Sequence, residues 1–200
     1  MKDNVYVYDF AGSTYINLTN RCNNACEFCI RKNDVGIEGY DLWIEHDAQA
    51  ADVIAQLRQR GCEGGGIVFC GYGEPTMKLD ALKEVAKYAK ENGLKTRLNT
   101  NGLANAQYGR DIVPELVGLV DTVSISLNDC DAEKYDAVCH SRFGRDAYGY
   151  MLDFTRRCVA AGIDTVMTVV DVIPAENIEK CAEIAAEVGA RFRVRNYSDK

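Results

Sequence analysis

The sequence predicts an α/β protein: an open, partial (βα)6 barrel of the TIM type, with parallel strands in a single domain. Three observations lead there. Six strand-like runs alternate with helical patterns along the chain, which is the signature of parallel α/β architecture. Six strand–helix units are too few to close an eight-unit barrel, while right-handed crossovers still curve such a sheet one way. And 200 residues, 47% of them hydrophobic, suit one domain with its own core, with no linker long enough to divide two. Residues 1–200 are therefore read as one core domain with no separate C-terminal substrate domain.

The elements follow in order. A strand over 14–19 leads into a polar loop that carries Cys22, Cys26 and Cys29 and runs on through Arg31-Lys32-Asn33-Asp34 and Gly36 to Tyr40. A helix over 47–60 has Ala48, Ala51, Ile54, Ala55 and Leu57 on its apolar side. A strand over 66–70 and a helix over 80–92 follow, the helix stopping at Gly93. A strand spans 95–100, and a helix over 112–118 tolerates Pro114 in its first turn. A strand over 122–127 precedes a loop at 128–131, a short helix over 132–138 and a longer one over 147–161 that ends at Gly162. A strand over 164–172, a helix opened by Pro174 and Glu176 that runs to 188, and a strand over 191–196 complete the series.

Alternation within the strands says which way they face. Lys95, Arg97, Asn99 and Asn101 share one face, as do Thr122, Ser124, Ser126 and Asn128, and as do Arg191, Arg193 and Arg195. Their apolar counterparts belong against the outer helices, so the polar set lines a wet, partly basic interior suited to a polar, anionic ligand. For Arg191 and Arg193 a solvated rim is the competing placement. Ligands in such folds bind at the carboxyl ends of the strands. There the chain offers Cys22 to Cys29, Gly71 to Thr76, Asn99, Asn101, Ser126 to Asp129, Asp171 and Arg195 to Tyr197.

Composition narrows the classes. No apolar run reaches the length of a membrane span, and the first fifteen residues contain acids and no apolar h-region. A cytoplasmic location and no membrane partner are expected. The net charge of −7 does not favour a nucleic-acid surface. Nine cysteines without a disulfide-scaffold pattern agree with a reducing setting.

The densest chemistry lies in Cys22-Asn23-Asn24-Ala25-Cys26-Glu27-Phe28-Cys29, spaced C-x3-C-x2-C. A short loop can aim three thiolates at one point, and soft thiolates select iron–sulfur clusters, Zn or Cu(I). A structural Zn site wants four protein ligands, and the next cysteine is Cys62. The other six cysteines form no second compact motif. Cys70, Cys158 and Cys181 read as buried small hydrophobes; Cys130 and Cys139, with His140 next door, flank a helix near the mouth, where a redox or substrate-facing thiol competes with burial.

This motif, with an aromatic before its third cysteine and a strand ahead of it, resembles the cluster motif of the radical SAM superfamily. Gly71-Tyr72-Gly73-Glu74-Pro75, also just after a strand, resembles the family's second motif, with Tyr72 in place of the commoner glycine. The resemblance covers nearly the whole chain and implies the same partial barrel. It implies a 4Fe–4S cluster on Cys22, Cys26 and Cys29, with S-adenosyl-L-methionine on the open iron. One-electron cleavage would give a 5′-deoxyadenosyl radical that abstracts hydrogen from an unidentified substrate, a macromolecule or a polar or anionic small molecule. By the same resemblance Phe28 sits beside the adenine and the Gly73 carbonyl approaches the methionine ammonium. Glu74 adds negative charge there, and Pro75 stiffens the turn. Ser126 and Asn128 are ribose candidates; Asn99, Asn101 and Asp171 are further ones, with a turn role competing at Asn101-Gly102. The family implies an electron donor of flavodoxin or ferredoxin type. An open barrel suits a protein substrate or a partner chain that completes it.

Small members of the superfamily include activases of glycyl radical enzymes and the enzyme that builds the deazaguanine ring, and either activity is an alternative here. The stretch G-x-x-G-Y-D-L-W at 36–43, with G-Y-G-E-P, is similar to the TatD-associated radical SAM subgroup. A non-catalytic Zn or iron–sulfur binding module is the reading from a different class.

Overall fold

The structure, a computed structural model, describes residues 4–32 and 36–197. Its strands are β1 (Val7–Phe10), β2 (Ser13–Ile16), β3 (Gly66–Phe69), β4 (Lys95–Thr100), β5 (Thr122–Ser126), β6 (Asp164–Val170) and β7 (Arg191–Arg195). They form one seven-stranded sheet whose spatial order is the sequence order. β2 to β7 are all parallel. Because each strand is added beside its predecessor, the sheet curls one way, and the pairing ladder never joins β7 back to β1. The open α/β barrel is as expected from the sequence.

One strand was not expected. β1 pairs antiparallel with β2, from Val7 opposite Ile16 to Phe10 opposite Ser13. The connecting Ala11 and Gly12 both have positive φ, 48° and 72°. That is the backbone of a two-residue hairpin turn whose usual sequence is Asn-Gly. With alanine first, the turn leaves little trace in the sequence.

The helices are α1 (Ala50–Arg60), α2 (Leu79–Glu91), α3 (Ala104–Tyr108), α4 (Val113–Leu116), α5 (Ala132–Cys139), α6 (Asp146–Ala160) and α7 (Ala175–Glu187). α1 begins at Ala50, and its buried positions are Ala50, Val53 and Leu57. Ala51 and Ala55, expected on the apolar side, are exposed, because the i, i+3, i+7 stripe through Val53 meets the sheet. The helix expected over 112–118 is shorter, and α3 precedes it. The cysteine-loop positions Asn33 and Asp34 lie outside the described residues.

The main core fills the space between the outer sheet face and the helices: Ile67, Phe69, Leu98, Val123, Ile125, Met167 and Val169 pack with Val53, Leu82, Val85, Phe154 and Cys181. Register then fixes the other face. Tyr15 lies beside Val68, Val68 beside Arg97, Arg97 beside Thr122, Ser126 beside Thr168, and Thr168 beside Arg193. All of these point into the concave side. A second, aromatic cluster covers that side next to β1 and β2: Tyr8, Leu42 and Tyr72 are buried, with Tyr15, Phe10 and Tyr40 packed around them.

Candidate active site

The cysteine loop leaves the carboxyl end of β2 and is tied down on both sides. On one side the Glu74 backbone N–H donates to the Arg21 carbonyl at 2.8 Å, joining it to the loop after β3. On the other, the N–H groups of Ala25 and Glu27 donate to the carbonyls of Cys139 and Val138, both at 2.9 Å. Those carbonyls belong to the last turn of α5, where the helix leaves its acceptors unpaired. At the loop's root the Asn17 amide donates to the carbonyls of Val5 and Leu42, and its oxygen accepts from Tyr72 N–H. A polar loop with few apolar contacts is thus fixed by backbone and amide hydrogen bonds.

Cys22, Cys26 and Cys29 are all half-buried. The Cys22 sulfur is approached by the Asn24 backbone N–H at 3.5 Å and by the Asn101 amide at 3.9 Å. Burial pushes the Cys22 thiol up to about 12, and the Glu74 carboxylate pushes the same way while the Asn24 N–H opposes it. The Cys26 thiol is held protonated by its hydrogen bond to Cys139 and by burial. Any metal must therefore displace protons from both. Among the described residues, no three His, Cys, Asp or Glu side chains are gathered tightly around one metal-ion position. The fit of an iron–sulfur cluster rests on the donors themselves: three thiols from one loop at the strand ends, with N–H groups aimed at sulfur, the contacts that tune such clusters.

The loop after β3 is packed onto the first. A Cβ on Gly73 would stand 2.2 Å from the Thr19 carbonyl oxygen and 2.6 Å from that of Arg21. On Gly71 it would stand 2.2 Å from the Asn17 side-chain oxygen. Both glycines are thus required by the contact between the two loops, a reason separate from any ligand. Pro75 opens a 3-10 turn, Pro75–Lys78, capped by the Glu74 side chain. The Glu74 carboxylate is buried and turned toward the protein. Oε1 accepts from Thr76 N–H, Thr76 Oγ1 and Thr100 Oγ1, at 3.2, 2.8 and 2.7 Å, and Oε2 accepts from Asn101 N–H at 2.8 Å. Burial raises its pKa, against the pull of those donors. Glu74 ties the loop to the end of β4, so its influence on a ligand would run through its charge and its backbone.

Tyr72 departs from the commoner motif for a visible reason. Its ring is buried and packs edge-on against Trp43, with centroids 5.2 Å apart, in the same cluster as Leu42 and Tyr8. The two unusual stretches, 36–43 and G-Y-G-E-P, are packing partners.

The remaining expected residues divide. Phe28 is half-buried beside the third cysteine. Asn99 and Ser126 are half-buried at the carboxyl ends of β4 and β5. The Asn99 amide bonds the Cys70 thiol, and its Oδ1 is buried without a partner. Asn128 is buried in the left-handed region, φ 62°; its amide donates to Cys139 Sγ at 3.2 Å, and its Oδ1 has no partner. Asn101 forms a turn through Leu103 N–H while reaching Cys22. Asp171 stands apart: it is exposed, its N–H donates to the Arg195 carbonyl, and its carboxylate accepts Tyr197 N–H. It fastens the edge between β6 and β7.

Sequence reasoning missed the neighbours of Cys26. Cys139 is fully buried beside it, and Tyr135 accepts a hydrogen bond from the Asn24 amide at 3.0 Å. The thiol was noticed in the sequence; its contact with a loop more than a hundred residues earlier had no local signal. His140 is exposed, 3.3 Å from Glu27.

The chain is 25% identical over 186 residues to an uncharacterized protein of Methanocaldococcus jannaschii, covering 92% of this chain and 54% of that one. It is 30% identical over 121 residues to a putative glycyl-radical enzyme activating enzyme of the same organism, covering 57% and 42%. The fold matches that of Streptococcus suis SuiB, solved with S-adenosylmethionine (TM-score 0.66, 19% identity) and with its precursor peptide SuiA (TM-score 0.68, 21% identity). Each match covers 92% of this chain, with 38% and 39% of SuiB. The chain thus spans about half or less of the length of these proteins. Among the described residues, no helix is long and apolar enough to cross a membrane. The family model of the Radical SAM superfamily matches residues 16–188, from the last residue of β2 to the end of α7, and the chain belongs to that superfamily, whose members bind a 4Fe–4S cluster and S-adenosylmethionine.

Proposed function

We propose that the protein is a radical S-adenosylmethionine enzyme that abstracts hydrogen from a substrate presented at the open mouth of the sheet. The observation that carries this reading is the joint anchoring of two loops at the strand ends, one bearing three thiols and the other bearing the glycines and Glu74, on a chain of this family. When bound, the cluster and S-adenosylmethionine supply one-electron cleavage of the sulfonium and hydrogen abstraction. Cys22, Cys26 and Cys29 would hold the cluster, and the Asn24 and Asn101 N–H groups would withdraw charge from the Cys22 sulfur. The backbone of Gly71 to Pro75, fixed by Glu74, orients the methionine end. The unpartnered Oδ1 atoms of Asn99 and Asn128 are acceptors awaiting donors, and ribose hydroxyls supply them. Ser126 lies on the same face, and Phe28 offers its ring to the adenine. The aromatic cluster of Tyr8, Leu42 and Tyr72 keeps water from the β1 side. Asp171 is committed to Tyr197 and has no part in this reading.

Enzymes of this superfamily need an electron donor, and a flavodoxin- or ferredoxin-like protein is proposed here. A second reading, activation of a glycyl radical enzyme, is favoured by the likeness to the putative glycyl-radical enzyme activating enzyme of Methanocaldococcus jannaschii. A deazaguanine-type heterocycle synthase has no comparable support.

The test is anaerobic reconstitution with iron and sulfide, then incubation with S-adenosylmethionine and dithionite. 5′-Deoxyadenosine should form, and Cys26→Ala should abolish it. If the purified chain holds only zinc and no cluster can be built, the enzyme reading fails and a binding module replaces it. A stable glycyl radical on an added protein would select the activase.

A further inference from the structure

Inside the sheet, below the cysteine loop, the structure gathers positive charge that no carboxylate of the described residues pairs with. Arg97 on β4 points inward beside Tyr15 of β2, its guanidinium donating to the Tyr15 hydroxyl at 3.3 Å. Arg195 lies on the same inner face, on β7 beside Val170. Its electrostatic neighbours are Cys70, Arg193, Arg97 and Tyr15, three of them from β2 to β4 or the residue just after β3. Arg193 stands at the solvent edge of this group and also acts on Tyr15. Among the described residues, no carboxylate pairs with any of the three arginines, and the Nε atoms of Arg97 and Arg195 are buried without a hydrogen-bond partner. Arg191, one turn of the pleat earlier, behaves differently: both its Nε and a terminal nitrogen meet the Asp164 carboxylate, at 3.0 and 2.6 Å.

Burying a charge is unfavourable unless it is paired, and like charges near one another add repulsion. Burial and the nearby Arg193 and Arg97 accordingly hold Arg195 below its ordinary pKa. A fold keeps such an arrangement when something else supplies the anion, and the planar fork of arginine matches carboxylate and phosphate oxygens. A cleft of about 420 Å³ at the amino ends of the strands is lined by Val68, Arg97 and Thr122 together with Asp121 and Asp164, whose carboxylates are taken by Lys90 and Arg191.

We propose that Arg97 and Arg195, with Arg193 at the entrance and Tyr15 alongside, form a subsite that receives a carboxylate or phosphate group of the substrate. The assignment of the group to a substrate rests on the enzyme reading above; the anion site itself does not.

The test uses the full chain and two probes, inorganic phosphate and succinate, against chloride at equal ionic strength. Wild-type protein should melt at higher temperature in phosphate or succinate, by the linkage of binding to folding. Arg195→Gln and Arg97→Gln should bind the probe about tenfold or more weakly, the effect of one charge-assisted hydrogen bond. In chloride alone Arg195→Gln should melt above wild type, since it removes a charge with no carboxylate partner among the described residues. Arg191→Gln, whose partner is Asp164, should keep the probe response. The proposal is overturned if wild type ignores both probes, if the Arg97 and Arg195 variants respond as wild type does, or if Arg195→Gln melts lower in chloride, which marks its guanidinium as structural. The cofactor carries a carboxylate too, so S-adenosylmethionine affinity is measured on reconstituted protein. Unchanged affinity in Arg195→Gln supports a substrate subsite. Weakened affinity, with S-adenosylmethionine and phosphate competing, gives the site to the cofactor and overturns the assignment. None of the melts needs a cluster, so a chain that binds phosphate yet never forms 5′-deoxyadenosine would sink the enzyme reading and leave the anion site standing.

Discussion

Gly73→Ala isolates the contact between the two loops of the site. Gly73 lies outside the left-handed region of the backbone, so alanine meets no conformational penalty there, only a steric one. Its methyl carbon would sit 2.2 Å from the Thr19 carbonyl oxygen, and ordinary contact begins near 3.4 Å, so backbone must move by about 1.2 Å. The obstacles are main-chain atoms of Thr19 and Arg21, which cannot rotate aside. Overpacking of this kind costs about 1–3 kcal/mol. The same movement stretches the 2.8 Å bond from Glu74 N–H to the Arg21 carbonyl, worth about 1 kcal/mol. The sum is about 2–4 kcal/mol, or a fall in melting temperature of about 5–15 °C for a chain of this size. The assay is denaturant unfolding of the cluster-free protein, where a lower midpoint at unchanged slope reads as lost stability. Gly149→Ala is the control: it lies inside α6, a Cβ there meets nothing within 4 Å, and alanine should stabilise by about 1 kcal/mol. If Gly73→Ala unfolds at the wild-type midpoint while Gly149→Ala behaves as expected, the two loops are not locked together and Gly73 is required only by a ligand.

Tyr72→Gly, which restores the commoner motif, should destabilise the protein by about 3 kcal/mol or more in the same assay, because it empties a buried aromatic site against Trp43; a neutral result would mean the ring contributes no packing. Asp164 is held below its ordinary pKa by its hydrogen bonds with Arg191, so its contribution is present above about pH 4 and is lost as pH falls through the folded-state value. Asp164→Asn should therefore cost at most about 1 kcal/mol at neutral pH, since the pair is exposed, and nothing in strong acid; stability curves of the two proteins against pH should converge at the acid end. Because Cys22 and Cys26 are held protonated, cluster assembly from iron and sulfide should speed up as pH rises through the mildly alkaline range, followed by visible absorbance; a rate independent of pH would show that thiol deprotonation does not limit loading.

Much of the fold was legible because strand and helix periods differ and the parallel strands carry apolar residues on one face. The runs at 66–70, 95–100 and 122–127 correspond to β3, β4 and β5 almost residue for residue. The inward face of β4, β5 and β7 could be named from alternation alone. β1 escaped because its turn uses Ala11 where asparagine is usual, and the buried face of α1 was misjudged because Ala51 and Ala55 look apolar on paper yet face water. Within the site, the cysteines and the second motif were visible as local patterns. What stayed hidden was long-range: that Glu74 spends both oxygens on β3 and β4 neighbours, that Cys139 lies against Cys26, and that Asp164 claims Arg191 while leaving Arg195 alone. No spacing rule reports which of three arginines on one face finds a carboxylate, since the partner lies on another strand.

The hydrogen bonds that bind the cysteine loop to α5 and to the loop after β3 bear on how the protein matures. Small zinc modules fold around their metal and fall apart without it. Here the loop takes its course from Cys139, Val138, Glu74 and Asn17, none of which needs iron to be present. Synthesis and metallation can then be separate events, with a finished apoprotein waiting for iron and sulfide. Loss of the cluster to oxygen would leave an intact chain to be refilled, with Cys22 and Cys26 held protonated and slow to react until the next delivery.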